Sequence, residues 1–306
     1  MNEPDHILFL VNPYAGKGKA LDIAHYAISV MSQNGVNTTL FVSQKKGDLS
    51  NFTSKYNIAS FTKVAILGGD GTMHEVLNAV MLNQEWLKLS YLLFPCGTGN
   101  AFNYDMDCLT ADKAIALLLK GSDTLIDLAE VKTNMGSIWS FNIVGCGLVA
   151  HINVLAEKMR WLGSARYTIA SLIKIISNPS IKARVTVNGE ELDDQFCFLF
   201  ACNTRYTGKA MKMAPKAILN DGLIDFLIVK KTSRLKLLML FPKVFSGKHM
   251  NSPLLKYVQT DYIKIETEHR ETVNIDGEIK GNTSLEILMH SKKIRIRTTK
   301  YIFIFF

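Results

Sequence analysis

The stretch KVAILGGDGTMHEVLNAV, residues 63–80, decides the fold. The apolar run from Val64 to Leu67 reads as a buried strand, and Val76, Leu77 and Val80 then recur at helical spacing. Between them lie Gly68, Gly69, Asp70, Gly71 and Thr72. Three glycines weaken any regular element, so their placement needs a reason. In α/β folds the turn from the carboxyl end of a parallel strand into the next helix is where ligands bind. Glycine lets backbone N–H groups approach an anion with no Cβ in the way, and the helix N-terminus adds a favourable dipole and unsatisfied donors. Thr72 is placed to cap that helix. The same residues also suit a plain tight turn with Asp70 as its turn-former.

The device recurs twice. LFLVNPYAGKGKA puts Asn12, Pro13 and Gly16 just after an apolar strand, and YLLFPCGTGNAF puts Gly97, Thr98, Gly99 and Asn100 after another. The first is not a Walker A loop, because GKGK is followed by Ala20 rather than Ser or Thr. One such loop is weak evidence. Three after three strands of one sheet would line a phosphate-binding crevice.

Working outward, the first half alternates strands and helices: strands at 6–12, VNTTLFVS, KVAILGG and SYLLFP, and helices at 20–34, 48–57, 73–83 and 110–120. That order predicts an α/β domain with a parallel sheet over residues 1–128. From 129 to 290 the chain becomes rich in glycine-punctuated strands, interrupted by helical stretches at 147–177 and 233–246. An antiparallel β-sandwich is expected there. The closing YIFIFF is too short to span a bilayer and is expected as a strand.

Charge divides along the same line. Residues 1–128 hold 9 Lys and Arg against 12 Asp and Glu, while 129–306 hold 26 against 15. Every arginine lies at or after Arg160. The second half therefore faces an anionic partner. Nucleic acid is not expected, since no nucleic-acid-binding signature accompanies the charge. An anionic membrane surface accounts for it. No apolar stretch approaches the roughly 20 residues of a membrane span. The acidic MNEPD ahead of the first strand does not read as a signal peptide. Five cysteines form no C-x-x-C pair, which suggests reduced thiols. The expectation is a cytoplasmic, peripherally membrane-associated protein, with homodimerisation left open.

In the second half, VNIDGEIKG places Asp276 and Glu278 on either side of Gly277. D-G between strand-like runs is a hairpin signal. Two residues apart on one strand, the carboxylates would also share a face, which suits metal binding or general-base work. Asp221 lies in another turn, in KMAPKAILNDGLIDF. His74 reads as making surface or capping contacts. Lys158, Arg160 and Arg166 group on one helical stretch, and KKTSRLKLLMLFPKVF (230–245) is basic and amphipathic. Either is a solvated face by default; arginines could clamp phosphate, and the second stretch could rest on an anionic bilayer.

VNPYAGKGKA, GGDGTMHEVLNAV, FPCGTGNAFN, APKAILNDGLID, GKHM and VNIDGE, in that order, resemble the diacylglycerol kinase and sphingosine kinase superfamily of lipid kinases. GGDGT alone also occurs in NAD kinases; the full series is far more specific. The resemblance implies an ATP-binding α/β domain, a C-terminal β-sandwich domain with ATP in the cleft, and a chain end (291–306) that returns to the first domain. It implies Mg2+ and ATP as cofactors and a membrane lipid as substrate.

Residue by residue, it places Asn12, Pro13, Gly16, Gly68, Gly69, Asp70, Gly71, Thr72, Met73, His74, Gly97, Thr98 and Asn100 near ATP. Ser43, in SQKKGD, stands where the family's T-x-x-x-G-D has a nucleotide-contacting Thr. Arg160 and Arg166 match phosphate-clamping arginines. Asp276 and Glu278 match the proposed base and metal-network carboxylates, with Asp70 the rival base. A structural magnesium site would use Asp221 with the carbonyls of Ile218 and Leu223. MHEVLNAV and AEKMRWLGSARYTI lean toward sphingosine kinases, but Asn153 replaces an Asp that contacts the sphingoid amine there. A neutral acceptor such as diacylglycerol or monoacylglycerol is then as plausible as a sphingoid base. The rival readings are a soluble-substrate kinase of the NAD kinase type and a non-catalytic nucleotide- or lipid-binding protein.

Overall fold

The computed structural model describes residues 5–97, 99–163, 165–208 and 211–299, with the backbone but not the side chain of Arg160. It divides into two compact units, residues up to 126 with 292 onward, and residues 127–291.

Unit 1 carries β1 (His6–Val11), α1 (Ala20–Gln33), β2 (Asn37–Val42), α2 (Phe52–Lys55), β3 (Lys63–Gly68), α3 (Asp70–Leu82), β4 (Ser90–Pro95), α4 (Ala101–Asp105) and α5 (Ala111–Lys120). The sheet runs β2-β1-β3-β4, all parallel. β3 is buried along its whole length, as its uninterrupted apolar run requires of a central parallel strand. Its one charge, Lys63, is neutralised by an ion pair with Asp5. Thr110 caps α5 by accepting from the Lys113 N–H at 3.2 Å. The expected helix over 48–57 is shorter: a 3-10 turn at Leu49–Asn51 and the four residues of α2. Only Leu49 and Phe52 of that segment bury a large apolar side chain, too few for a longer amphipathic face.

β5 (Ser122–Thr133) leads from unit 1 into unit 2, which continues with β6 (Gly136–Ser140), β7 (Ile143–Gly147), α6 (Leu148–Lys158), α7 (Ala165–Ser177), β8 (Ile181–Val187) and β9 (Glu190–Cys202). There follow β10 (Ile224–Lys230), α8 (Arg234–Ser246), β11 (Lys256–Thr260), β12 (Tyr262–Thr267), β13 (Thr272–Ile275), β14 (Glu278–Asn282) and β15 (Leu285–Thr298). The order is β14-β13-β7-β9-β8-β12-β15, and the pairs are antiparallel. β9 is the organiser: its first half pairs with β8, and its second half lies between β7 and β10. The expected helical stretch 147–177 is two helices, with a 3-10 turn at Arg160–Leu162 and Gly163 in the left-handed region at φ +59°. α6, α7 and α8 cover a cluster built on Leu148, Ile175, Cys197, Val229 and Leu237.

The end of β15 returns to unit 1, where Arg295 and Ile296 pair in parallel with Ser90 and Tyr91 of β4. The Arg297 guanidinium donates to Asp123 at 2.9 Å and to the Leu117 carbonyl at 3.2 Å, so it caps the end of α5. The YIFIFF strand expected beyond it lies outside the described residues. No helix among the described residues is long and apolar enough to cross a membrane, and Cys96, Cys108, Cys146, Cys197 and Cys202 are all buried free thiols.

His249, in the GKHM segment, is buried in unit 2 with Nε2 2.8 Å from the Met213 carbonyl. Burial holds its imidazole below the ordinary range. The folded chain therefore keeps this ring neutral at pH values where the unfolded chain protonates it, and stability falls as pH drops below about 6.5. His249→Gln keeps a donor for Met213 without the titration. Urea midpoints between pH 7.5 and 5 should show a shallower decline for the variant than for the wild type.

Candidate functional site

In unit 1 the three glycine loops converge at the carboxyl ends of β1, β3 and β4. The Asn12 N–H donates to the Leu67 carbonyl at 3.0 Å, and its Nδ2 to the Thr72 hydroxyl at 3.3 Å. The Cys96 N–H donates to the Gly68 carbonyl at 3.2 Å. A Cβ on Gly69 would sit 3.1 Å from the Gly97 Cα, and one on Gly16 would sit 2.9 Å from the Cys96 carbonyl oxygen. Glycine is needed at both because one backbone lies against another; Gly16 is also left-handed at φ +63°. Ser43 is buried beside this edge, its N–H on the Val11 carbonyl at 2.9 Å. Pro13 follows Asn12 in the first loop, whose Asn12 Oδ1 accepts from the Tyr14 N–H at 3.1 Å.

Two expectations change here. Thr72 does not cap the helix: α3 begins two residues earlier, with Gly69 as N-cap, and Thr72 instead fills the space over Gly68 that a Cβ would occupy. His74 is not on the surface. It is buried with Met73, because α3 is covered on nearly all sides, so any contact from either to a ligand is through the main chain. Gly71 lies in the first turn of α3. Thr98 lies outside the described residues.

Asp70 bridges two of the loops. Its carboxylate accepts from the Ala101 N–H at 3.1 Å and the Phe102 N–H at 3.3 Å, donors at the start of α4 that have no intrahelical acceptor. Asn100 precedes them at φ +50°, a conformation Asn tolerates, with Nδ2 on the Pro95 carbonyl at 3.2 Å. Its Oδ1 is buried with no hydrogen-bond partner among the described residues.

In unit 2, Asp276 and Gly277 are the turn between β13 and β14, both at positive φ (+52° and +89°). That is the two-residue hairpin which D-G favours. Asp276 and Glu278 therefore do not share a strand face: only Glu278 is in a strand, half-buried at the start of β14. The Asp276 carboxylate, 2% exposed, accepts from the Ser140 hydroxyl at 2.7 Å and from the Asn142, Ile143 and Phe141 N–H groups at 2.9, 3.0 and 3.3 Å. It organises the β6–β7 turn. Neither Ser140 nor these amides carried a sequence signal, because they lie more than 130 positions away from Asp276. Asn153 of α6 donates from Nδ2 to the Gly277 carbonyl at 2.5 Å, and its Oδ1 is buried without a partner among the described residues. Arg166 is held by Glu157 at 3.4 Å and the Tyr167 hydroxyl at 2.9 Å; the Arg160 side chain is outside the described residues.

Asp221 sits where carboxylates crowd. Its Oδ1 accepts from the Leu223 N–H at 3.0 Å, and burial together with the charge of Asp127 raises its carboxyl above the usual range. Asp127 in turn accepts from the Gly222 N–H at 2.6 Å and donates its own N–H to the Leu219 carbonyl at 2.7 Å. Burial, reinforced by Asp221, pushes Asp225 up to about 7, with one carboxylate oxygen lacking a hydrogen-bond partner among the described residues. Among the described residues no group of three or more His, Cys, Asp or Glu could hold a metal by side chains alone. Burial and mutual repulsion outweigh the nearby Lys216 charge in this cluster. Such a carboxylate set has the oxygen-donor chemistry that suits a divalent ion, for which Asp221 and main-chain carbonyls such as Ile218 and Leu223 would be the ligands.

A parallel α/β unit with glycine loops on its carboxyl edge is joined in this chain to an antiparallel unit with a D-G turn leading into Glu278. Residues 6–131 match the diacylglycerol kinase catalytic domain, and residues 142–298 match the YegS C-terminal NAD kinase beta sandwich-like domain. The chain belongs to the diacylglycerol kinase and sphingosine kinase superfamily of lipid kinases. It is 28% identical to a diacylglycerol kinase of Mycobacterium tuberculosis over 92% of this chain and 90% of that protein. Sphingosine kinase 1 of Arabidopsis thaliana is 23% identical over 91% of this chain and 69% of its own length. Two solved structures from Bacillus anthracis str. Sterne, the second described as a diacylglycerol kinase, have TM-scores of 0.81 and 0.73 at 22% and 17% identity. Each covers 99% of this chain and 100% of its own.

Proposed function

We propose that this chain transfers the γ-phosphoryl group of ATP to a primary hydroxyl of a neutral membrane lipid of the diacylglycerol type. The observation that carries the nucleotide half is the contact of Gly69 with Gly97, which leaves a bare backbone floor between two helix N-termini. Asn12, the Gly68–Thr72 turn and the Gly97–Asn100 loop would bind the phosphates from that floor, with Ser43 and Pro13 beside it. Asp70 then acts as a positioning residue that fixes the α4 donors. Mg2+, when bound, spreads the charge of the transferring group. Catalysis is otherwise positioning and electrostatics.

Of the three candidate carboxylates, Glu278 suits the base best. Asp276 is enclosed at 2% exposure and Asp70 is committed to the amides that start α4, whereas Glu278 is half-buried beside the turn, with part of its surface open to an acceptor. As the new O–P bond forms and the bond to the leaving ADP oxygen breaks, the hydroxyl proton passes to Glu278. Asn153 supports a neutral acceptor: an amide oxygen accepts from a hydroxyl but does not neutralise an ammonium.

A panel of diacylglycerol, monoacylglycerol, ceramide and sphingosine in mixed micelles, with labelled ATP and Mg2+, tests the reading. Turnover should be highest on diacylglycerol and at least about tenfold lower on sphingosine, a difference of 1.4 kcal/mol. Sphingosine as the preferred acceptor overturns the neutral-lipid assignment, and turnover only of a soluble acceptor such as NAD overturns the lipid reading. In the same assay Gly97→Ala should raise the KM for ATP about tenfold or more, since its Cβ would lie 2.6 Å from both the Gly69 Cα and the Asn100 Oδ1. The stability loss should stay within about 1–3 kcal/mol, as for other overpacked sites.

A further inference from the structure

α8 turns an apolar stripe outward. Leu237 and Val244 are its buried contacts, and the opposite side carries Leu235, Met239 and Pro242 at i, i+4 and i+7. Leu235 is 72% exposed and Met239 63%. A helix packed on a core by one stripe ordinarily places polar residues opposite it. α7, which packs against α8, repeats the arrangement: Ile175 faces inward while Leu172, Ile173 and Ile176 are exposed. The flanks are basic. Lys236 and Lys243 border one side of the α8 stripe and Arg234 the other, with Lys174 on α7, and neither helix contains an Asp or Glu. None of these four cations has a carboxylate partner among the described residues. Glu157 is engaged with Arg166 and Asp194 with Lys230.

We infer that the outward faces of α7 and α8 dock onto an anionic lipid bilayer. Exposed apolar side chains flanked by cations that have no carboxylate partner among the described residues, on helices without Asp or Glu, match such a surface in both of its terms, insertion of apolar groups at the acyl boundary and attraction to anionic headgroups. A second protein copy fits worse, because the same cations would face each other across a two-fold contact. The inference deepens the lipid-kinase reading, on which it rests for its purpose: an enzyme acting on a bilayer lipid has to reach the bilayer.

The test separates binding from catalysis. Full-length protein is co-sedimented with phosphatidylcholine vesicles containing 30% phosphatidylglycerol (roughly a third anionic, enough for a strong surface potential), without ATP or acceptor. Kinase turnover is measured separately on a monomeric short-chain diacylglycerol. The wild type should bind anionic vesicles, bind pure phosphatidylcholine at least about tenfold more weakly, and lose binding as salt rises. Leu235→Asp with Met239→Asp should lower vesicle binding about tenfold or more, with the unfolding midpoint and short-chain turnover unchanged. Lys236→Gln with Lys243→Gln should weaken binding and flatten its salt dependence. Wild-type-like vesicle binding by the Asp variant overturns the inference and leaves the kinase reading standing. So does conversion of a wild-type dimer to monomer with no change in vesicle binding, since the face would then be a self-contact. Absence of short-chain turnover with intact vesicle binding overturns the kinase reading alone.

Discussion

Glu278→Gln is expected to lower kcat on diacylglycerol by about two to four orders of magnitude, the range general bases contribute, with a wild-type unfolding midpoint. Glu278 is half-buried at the start of β14, so an isosteric amide removes basicity with little disturbance of packing. The KM for ATP should change little, because Glu278 belongs to unit 2 and the glycine loops to unit 1. Single-turnover and steady-state rates with labelled ATP measure the effect. A variant that retains more than about a tenth of wild-type kcat would remove Glu278 from the role of base.

Asp276→Ala should act through the fold. It removes the acceptor for three backbone N–H groups and the Ser140 hydroxyl, all buried. A buried unsatisfied donor costs about 1–3 kcal/mol; with water entering the space left, the loss should be about 3–5 kcal/mol. Urea unfolding monitored by far-ultraviolet circular dichroism checks it. Asp276→Asn keeps one acceptor oxygen but turns an NH2 toward a backbone donor, and should fall between the wild type and Asp276→Ala. If both variants are as stable as wild type but inactive, Asp276 is catalytic in its own right and Glu278 is not the sole base.

The pairing makes the experiments decisive together. In sequence Asp276 and Glu278 are two positions apart and chemically equivalent. Their difference arises from the β6–β7 turn, whose amides converge on Asp276.

Much of the fold was legible because its signals are local. Apolar runs followed at once by glycine and then helical spacing identify strand–loop–helix units, and the loss of that rhythm after residue 128 marks the change to antiparallel strands. Gly69 and Gly97 read locally as loop glycines, yet nothing in the sequence shows that each is required by the other. Asp127 carries no sequence signal that pairs it with Asp221, since β5 and the turn before β10 are almost a hundred residues apart. The burial of His74 has no local signal, because a helix covered on nearly all sides has no polar face for periodicity to reveal.

The sequence by itself determined the class of each unit, the placement of glycine-bearing loops after three strands and the resemblance to lipid kinases, and it carried the D-G hairpin signal beside the shared-face reading. All depend on neighbours within a few positions, where backbone preference and side-chain periodicity operate. Only the tertiary structure decided which carboxylates are held by backbone donors, which glycines face another backbone, and which apolar residues of α7 and α8 point outward. Those outcomes depend on long-range partners, and the same side chain takes a different role once the fold chooses what lies against it.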